Sequence, residues 1–224
     1  MIEIVSATRL NQQHFWEKSA LGISLKRFSK DSRIITNISF ENRQGLPVIY
    51  NQRILSPDSP NILVFIHDDV WIDDFVLPER LRAGLSNFQI LGIAGNRRRI
   101  AKQVSWGFID DKFTWDNQAN LSGAISHGTK PFDAISRYGD SPAECELLDG
   151  VFLAVYKNTL LTHQILFDPQ FDFHFYDMDF CRSAKQKGLK LGTWPICLTH
   201  QSNGAFGSKL WTEKYKLYLQ KWGN

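Results

Sequence analysis

The feature of this sequence that most constrains its fold is the run Asn-Ile-Leu-Val-Phe-Ile at residues 61–66, which is bounded by turn residues. A strand with one exposed face alternates polar and apolar residues, whereas a continuous apolar run is typical of a strand covered on both faces. The run therefore predicts the central strand of a parallel sheet that has helices packed on either side.

Strand and helix signals alternate through the first half of the chain. Short runs of apolar or β-branched residues predict strands at Ile2–Ser6, Arg33–Phe40 and Ile90–Gly95. Helical signals separate these strands, with their caps or first residues at Thr8, Gly45 and Pro78. Repeated β-α units of this kind indicate an α/β fold with a mostly parallel central sheet flanked by helices, wound like a nucleotide-binding fold.

The second half of the chain is less regular. Residues 96–145 combine many Gly, Ser, Asp and Asn residues with scattered Trp residues, and no element is predicted there. A segment this long and irregular inside a compact domain is more often a binding loop than a linker. Order returns in a predicted strand at Leu147–Tyr156, a helix at Asp177–Lys187 that Gly188 ends, and a last strand at Leu189–Leu198.

Length and charge limit the classes of protein that fit. The 224 residues are enough for one sizeable α/β domain, and a net charge of only +3 argues against nucleic acid as the main partner. The N-terminus lacks a secretory signal, and no apolar run approaches the ~18 residues that span a bilayer. We therefore expect a cytoplasmic protein, with peripheral contact at the inner face of the membrane and a homo-oligomer both left open.

The three cysteines are consistent with this compartment. Cys145, Cys181 and Cys197 are widely spaced, odd in number and show no Cys-x-x-Cys pattern. They predict buried, reduced thiols rather than a disulfide framework or a zinc site.

The sharpest candidate for chemistry is His67-Asp68-Asp69, which comes directly after the predicted central strand. Ligands of open α/β sheets collect at the carboxyl ends of the strands. Two neighbouring carboxylates repel each other unless a cation balances them, and a divalent metal ion with oxygen ligands would do so. The alternative is a polar turn that leaves the sheet, although the apolar residues Val70-Trp71-Ile72 that follow weigh against an exposed loop.

A second candidate is the segment Phe173–Phe180, in which Asp177 and Asp179 begin a predicted helix among aromatic residues. A carboxylate in an apolar wall is poorly solvated and therefore more basic, which suits a general base. The alternative is purely structural, because the helix dipole alone stabilises acidic residues in a first helical turn.

Two weaker candidates lie near the ends of other predicted strands. His200 follows the last strand and precedes a stretch of small and polar residues, 201–204, that could close over a ligand. Asp149-Gly150 precedes the apolar stretch Val151–Tyr156, although the same dipeptide is common in turns. A single histidine is more often structural or exposed than a ligand, so neither candidate identifies a site by itself.

Taken together, these motifs resemble those of bacterial family-2-like inverting glycosyltransferases with the GT-A fold, in particular a small subgroup that has His-Asp-Asp-Val in place of Asp-x-Asp. The matching pieces follow the family's order and span residues 46–204. They are Leu46-Pro47-x-x-Tyr50-Asn51, Phe65-Ile66-His67-Asp68-Asp69-Val70, Leu148-Asp149-Gly150-Val151-Phe152-Leu153-Ala154, Phe173-His174-Phe175-Tyr176-Asp177-x-Asp179-Phe180-Cys181 and His200-x-Ser202-x-Gly204. Each piece alone is a weak signal, but the ordered set is specific.

The resemblance implies a metal and nucleotide site. Asp69 would bind the metal with Asp68 beside it towards the ribose, and His200 would be the second protein ligand. His67 replaces the family's first carboxylate, and this softer residue makes Mn²⁺ as plausible as Mg²⁺. The nucleotide base would be bordered by the end of the first strand, at Ser6, Ala7 and Thr8.

The resemblance also implies a reaction. Asp177 matches the family's general base, and Asp149 would lie where donor sugar and acceptor meet. The chain would be a hexosyltransferase-like enzyme of polysaccharide biosynthesis that moves a sugar from a UDP-sugar to a hydroxyl of a glycan or lipid-linked acceptor, with inversion. Residues 1–96 would form the nucleotide-binding half of a single domain, residues 97–205 the acceptor and catalytic half, and residues 206–224 a C-terminal helix.

Two other functions stay open on the sequence alone. Another divalent-metal enzyme acting on nucleotides or phosphate esters would also gather Asp and His residues, although such enzymes usually need more carboxylates or paired metals. A non-catalytic nucleotide-sugar-binding module of the same fold is the other alternative. The presence of both Asp69 and Asp177 weighs against a module that has lost catalysis.

Two basic stretches also have alternative explanations. Arg97-Arg98-Arg99 follows a predicted strand, where it would either meet phosphate or form a solvated turn. The stretch Lys209–Trp222 has a basic and aromatic pattern that fits a helix lying on a membrane, or a helix packed on its own domain or on a partner subunit. We favour the solvated turn for the first stretch and packing for the second.

Overall fold

The computed structural model describes residues 1–202 and 204–223. Asn203, in the stretch after His200, and Asn224, at the end of the predicted C-terminal helix, lie outside the described residues. The strands in the first half are β1 (Ile2–Ala7), β2 (Ile34–Ser39), β3 (Ile62–Ile66), β4 (Val70–Ile72), β5 (Ile90–Gly92) and β6 (Ala94–Asn96). Those in the second half are β7 (Leu121–His127), β8 (Ala134–Gly139), β9 (Ala143–Cys145), β10 (Leu147–Leu148), β11 (Phe152–Tyr156), β12 (Leu191–Thr193) and β13 (Leu198–His200).

The α-helices in this part of the chain are α1 (Gln12–Lys18), α2 (Ala20–Leu25), α3 (Leu46–Leu55), α4 (Leu77–Leu85), α5 (Lys157–His163), α6 (Tyr176–Gln186) and α7 (Lys209–Trp222). Pro47 lies in the first turn of α3, where its missing N–H removes no helical hydrogen bond. Ser19 ends α1 and caps α2, because its hydroxyl accepts a 2.9 Å hydrogen bond from the Gly22 N–H.

The prediction that Thr8 caps the first helix is wrong. The cap is Asn11, whose side-chain oxygen accepts a 2.9 Å hydrogen bond from the backbone N–H of His14. The Thr8 N–H instead donates to the carbonyl of Ser39, the last residue of β2, so the chain is still extended at that point.

The larger sheet has seven strands in the order β2-β1-β3-β11-β5-β12-β9. Strands β1, β2, β3, β5 and β12 run in one direction, whereas β11 and β9 run in the other. The sheet is therefore mostly parallel, with one antiparallel strand inserted beside β3. Every residue of β3 is buried, as the apolar run predicts for a strand covered on both faces.

A second sheet contains six strands, in the order β10-β6-β7-β13-β4, with β8 paired to β7. Its register places His200 beside Val70 on one side and beside His127 on the other. Because Val70 follows directly on the His67-Asp68-Asp69 segment, this pairing brings the end of β13 to the carboxyl end of β3.

Three of the predicted strands are each divided between the two sheets. Ile90–Gly95 forms β5 and β6, Leu147–Tyr156 forms β10 and β11, and the predicted last strand forms β12 and the start of β13. The strands on both sides of each division are mostly buried, so the apolar pattern by itself does not assign them to different sheets. The dipeptide Asp149-Gly150 and Pro195 mark two of the three divisions.

The irregular segment 96–145 is not a loop throughout. It contains β7, β8 and β9, and β7 and β8 pair antiparallel with a register shift between Gly123 and Ala124. The prediction of no element here is wrong, because short strands that depend on pairing with distant residues carry a weak local signal.

The buried apolar side chains of the described residues form one contiguous cluster around β1, β3 and β11. None of the helices in the described part is both long and apolar enough to cross a bilayer. Cys145 and Cys181 are buried in this cluster, but Cys197 is exposed, so the prediction that all three thiols are buried is wrong for Cys197. Cys197 lies between β12 and β13, outside either strand.

Helix α7 packs on its own domain, as we favoured from the sequence. Trp211 and Tyr218 are buried, and the indole N–H of Trp222 donates a 2.8 Å hydrogen bond to Asp179 in α6. The ammonium group of Lys221 lies 2.7 Å from Asp168 and 2.7 Å from Asp179. The aromatic side of the helix is therefore used in internal contacts.

The arginine stretch after β6 contains a structural ion pair. The guanidinium group of Arg98 donates from Nε to a carboxylate oxygen of buried Asp116 at 2.9 Å. All three arginines of the stretch are nevertheless exposed, as the favoured solvated turn predicts, and the Arg98 guanidinium group is already paired with Asp116.

Candidate active site

Three potential metal ligands meet at the carboxyl end of β3. His67 and Asp69 follow β3 directly, and His200 ends β13 in the second sheet. One ligand atom from each of the three residues lies within 4.8 Å of the other two. Two imidazoles and one carboxylate at this spacing fit a single divalent ion and leave coordination positions open for a substrate.

Asp69 and His200 form a close pair. Nε2 of His200 is 3.3 Å from a carboxylate oxygen of Asp69 and 3.0 Å from the hydroxyl of Ser202. Burial opposes ionisation of Asp69, but the hydrogen bond and charge of His200 outweigh it and lower the Asp69 pKa to about 2. Burial by itself would lower the pKa of His200, yet Asp69 raises it above its usual value. A divalent ion would compete with a proton for this pair.

Asp68 lies on the side of the site that faces the end of β1. Burial raises the pKa of Asp68, and a hydrogen bond with the Thr8 side chain opposes the rise. Thr8 is buried, Ala7 is half-buried and Ser6 has no exposed surface. The structure thus brings Thr8 to Asp68, whereas Ser6 is fully buried.

Asp149 lies in the turn between β10 and β11, where the chain passes from one sheet to the other. Its Oδ2 accepts a 2.8 Å hydrogen bond from the indole N–H of Trp106. Its Oδ1 accepts a 2.9 Å hydrogen bond from the backbone N–H of Val151. Both oxygens of the carboxylate are therefore held in place.

Asp177 is half-buried in the first turn of α6, beside the same turn. Its Oδ2 accepts a 3.0 Å hydrogen bond from the backbone N–H of Gly150. Burial, followed by the negative charge of Asp149, raises the pKa of Asp177 to about 7. A carboxyl with this pKa accepts a proton efficiently near neutral pH.

The start of α6 is held by an unusual backbone conformation. Phe175, directly before the helix, has a φ of 66°. This value lies in the left-handed region, which residues other than glycine rarely adopt. Its ring stacks on Tyr215 and Tyr218 of α7, with centroids 5.6 and 5.3 Å apart. Packing of α7 therefore stabilises the strained residue that aims Tyr176 and Asp177.

The site opens into a cleft of about 500 Å³. His67, His200, Asp149 and Asp177 all contribute to its lining. The remaining wall is strongly aromatic and includes Trp106, Phe108, Trp115, Tyr138, Phe173 and Phe206.

Several residues of the cleft were not identified from the sequence. Trp106, Trp115, His127 and Tyr138 all come from the segment 96–145, for which no element was predicted. The apolar residues at alternate positions of β7, Leu121, Gly123 and Ile125, could have indicated a strand that ends at His127. The tryptophans carry no such signal, because only the tertiary fold brings them to the cleft.

Neither a protein-family model nor a curated protein matches this sequence. Solved structures, however, share its fold. The structure of GalNAc-T7 with UDP, GalNAc and Mn²⁺ superposes with a TM-score of 0.54 at 12% identity, over 97% of this chain and 41% of that chain. This chain therefore spans less than half the length of that protein.

A second similar structure is the catalytic domain of Drosophila β1,4-galactosyltransferase 7 in complex with xylobiose. It superposes with a TM-score of 0.53 at 11% identity, over 96% of this chain and 79% of that chain. A mutant of the Drosophila enzyme, in complex with manganese, UDP-Gal and xylobiose, gives a TM-score of 0.50 at 9% identity, over 96% of this chain and 80% of that chain. At these identities the likeness concerns the fold, and it shows that the chain has the α/β architecture of a GT-A domain.

Proposed function

We propose that this chain is a metal-dependent glycosyltransferase that moves a sugar, with inversion, from a UDP-sugar to a hydroxyl of a glycan or lipid-linked acceptor. One observation carries the proposal. His67 and His200, two of the three potential metal ligands, line the same cleft as the carboxylates Asp149 and Asp177. A cation at the leaving group and a base at the attacking hydroxyl both promote transfer of a sugar from a diphosphate, and this cleft has residues suited to hold the cation and to act as the base.

The metal end of the cleft would hold the diphosphate. Asp69, His200 and His67 are the residues that would bind the ion, and Asp68 lies beside them on the side of β1. A bound divalent ion would neutralise the charge that develops on the diphosphate as it leaves. Ala7 and Thr8 would then border the nucleotide base, with Ser6 beneath them.

Asp177 would act as the general base. It would accept the proton of the acceptor hydroxyl while that oxygen bonds to the anomeric carbon and the bond from this carbon to the diphosphate breaks. Attack from the face opposite the leaving group inverts the anomeric configuration. The pKa of about 7 matches this task, because half of the carboxyl groups are ionised near neutral pH.

The aromatic wall supports a carbohydrate acceptor. Trp115 is 48% exposed, and its ring stacks on Tyr138 with centroids 5.4 Å apart and planes 27° apart. Trp106 contacts Tyr138 edge-on at 4.9 Å and binds Asp149 through its indole N–H. Aromatic surfaces of this kind pack against the C–H faces of a sugar ring, while Asp149 is placed to bind a hydroxyl of the donor or acceptor.

The ligands of the similar structures support the choice of donor, metal and acceptor. GalNAc-T7 was solved with UDP, GalNAc and Mn²⁺, and the Drosophila enzyme with manganese, UDP-Gal and xylobiose. We therefore favour UDP as the nucleotide and a hexose as the transferred sugar. The role in polysaccharide biosynthesis belongs to the same proposal and rests on the sequence resemblance, and the cytoplasmic location stays a prediction from the sequence.

The test is formation of a new glycosidic bond. The protein would be incubated with Mn²⁺, a panel of UDP-sugars and short glycan acceptors, and the products identified by mass spectrometry and the anomeric configuration by NMR. We expect a product of inverted configuration from the wild type and none from Asp177→Asn, which should still bind UDP. Release of UDP with no glycosidic product for any acceptor in the panel would favour a hydrolase instead.

A further inference from the structure

Tyr176 lies between His67 and the backbone of Gly150. Its hydroxyl oxygen is 2.9 Å from Nε2 of His67 and 2.7 Å from the carbonyl oxygen of Gly150. Tyr176 is buried, so its hydroxyl is satisfied by these two partners rather than by solvent. Neither contact is used by the general base itself.

The two contacts determine which atom carries each proton. A carbonyl oxygen only accepts hydrogen bonds, so the single proton of the Tyr176 hydroxyl is donated to Gly150. The hydroxyl oxygen then accepts from His67, which makes Nε2 the protonated ring nitrogen. In a neutral imidazole the other nitrogen, Nδ1, then carries the free lone pair.

Neighbouring residues hold the His67 ring in this orientation. Phe173 stacks on it, with ring centroids 5.7 Å apart and planes 27° apart. The backbone N–H of His67 donates to the carbonyl of Val151 at 3.2 Å. A Cβ atom at Gly150 would lie 2.5 Å from the Tyr176 hydroxyl, so the hydroxyl occupies space that only a glycine leaves open.

We infer that Tyr176 is the residue that positions His67, so that this histidine binds the metal through Nδ1. The inference rests on the metal-dependent function proposed above. Metal-binding histidines commonly donate their second ring N–H to a fixed acceptor, and here the acceptor is the Tyr176 hydroxyl. Because a set of two imidazoles and one carboxylate is softer than a set of carboxylates, it favours Mn²⁺ over Mg²⁺.

The first test is the tautomer of His67 in the metal-free protein. Long-range ¹H–¹⁵N spectra of the imidazole rings distinguish a proton on Nε2 from a proton on Nδ1. We expect His67 to carry its proton on Nε2 in the wild type and to populate both tautomers in Tyr176→Phe. Addition of Zn²⁺, a diamagnetic probe, should shift the Nδ1 resonance. A proton on Nδ1 of His67 in the wild type would overturn the inference.

The second test is the affinity for Mn²⁺ alone, measured by calorimetry without a nucleotide. Loss of a partner that orients a ligand typically weakens metal binding about 10–100-fold, and we expect this for Tyr176→Phe. His67→Ala and His67→Gln should weaken Mn²⁺ binding at least as much. His67→Asp should raise the affinity for Mg²⁺ relative to that for Mn²⁺, because it restores a hard oxygen ligand.

The matched control is His163→Gln, which changes a histidine at the end of α5 and should leave Mn²⁺ binding unchanged. Thermal unfolding of every variant separates a lost ligand from a lost fold. Wild-type affinity in both His67→Ala and Tyr176→Phe would overturn the inference and leave the proposed function intact, provided that Asp69→Ala still abolishes binding. A wild type that binds no Mn²⁺ would instead contradict the proposed function together with this inference.

Discussion

The backbone N–H of Gly150 donates a 3.0 Å hydrogen bond to Oδ2 of Asp177. This bond joins the turn between β10 and β11, which crosses from one sheet to the other, to the first turn of α6. Asp149 directly precedes the same glycine, so the carboxylates of Asp149 and Asp177 both lie next to Gly150. Their proximity, added to burial, accounts for the raised pKa of Asp177.

This arrangement predicts the pH dependence of catalysis. A general base is active in its ionised form, and burial raises the pKa of Asp177 to about 7. We therefore expect kcat/KM to fall as the pH decreases below about 7. Asp149→Asn removes the nearby negative charge and should move this inflection to lower pH, whatever its effect on the maximal rate.

The control for the pH profile is Asp172→Asn. This carboxylate lies in the loop before α6 and pairs with Lys214 at 3.0 Å, rather than with the catalytic turn. Its substitution should leave the inflection where it is. An unchanged inflection in Asp149→Asn, or a rate that is flat from pH 5 to 8, would contradict the assignment of Asp177 as the base.

The same pKa predicts an effect of Asp177 on stability. The folded pKa of about 7 lies above the usual value of 3.8, so the folded state loses stability as the pH rises between these values. Asp177→Asn does not ionise and should be more stable than the wild type at pH 8, by up to about 4 kcal/mol, with no gain at pH 4. Urea unfolding at the two pH values measures this difference. An Asp177→Asn variant that is less stable than the wild type at pH 8 would argue against a raised pKa of Asp177.

Gly150→Ala should disrupt the site more than it disrupts the fold. The added Cβ would lie 2.5 Å from the Tyr176 hydroxyl and 2.8 Å from Cβ of Asp177, so one of the two must move. Overpacking of this kind costs about 1–3 kcal/mol, and a displacement of about 1 Å at a catalytic group costs about 10²-fold in rate. Turnover assays and circular dichroism together test this expectation, which normal turnover would refute.

Trp115→Ala should weaken binding of the acceptor. Its half-exposed ring offers a stacking surface in the cleft, and its loss should raise the KM for a glycan acceptor about 10-fold, or ~1.4 kcal/mol. The affinity for UDP should stay at the wild-type value, because Trp115 is not among the residues at the metal end. Equal losses for donor and acceptor would show that the ring supports the whole cleft rather than the acceptor.

Most of the first half of the fold could be predicted from the sequence because its elements have strong local signals, whereas β4 and the division of Ile90–Gly95 between two sheets were missed. The apolar run of β3 and the alternation of strands and helices before residue 96 required only periodicity and turn chemistry. The position of His67-Asp68-Asp69 at the end of β3 followed from the same argument. The proximity of Asp69 to His200 was expected only from the family resemblance, since nothing in their local sequences relates them.

The second half could not be predicted because tertiary contacts determine it. The stretch Leu147–Tyr156 leaves one sheet and enters the other at Asp149 and Gly150, and the pairing of its two strands with distant residues determines this division. The aromatic cleft depends on segment 96–145, whose strands pair with distant residues. Tyr176 was visible in the sequence, but its contact with His67 is formed by residues 109 positions apart.

The most direct test of the central claim is calorimetric titration of UDP, with and without Mn²⁺, into the wild type and Asp69→Ala. We predict that UDP binds the wild type in the presence of Mn²⁺, and that binding is lost without the ion and in Asp69→Ala. Binding of UDP that needs neither Mn²⁺ nor Asp69 would contradict a metal-bridged diphosphate. If neither UDP nor GDP nor dTDP binds under these conditions, the glycosyltransferase account is wrong.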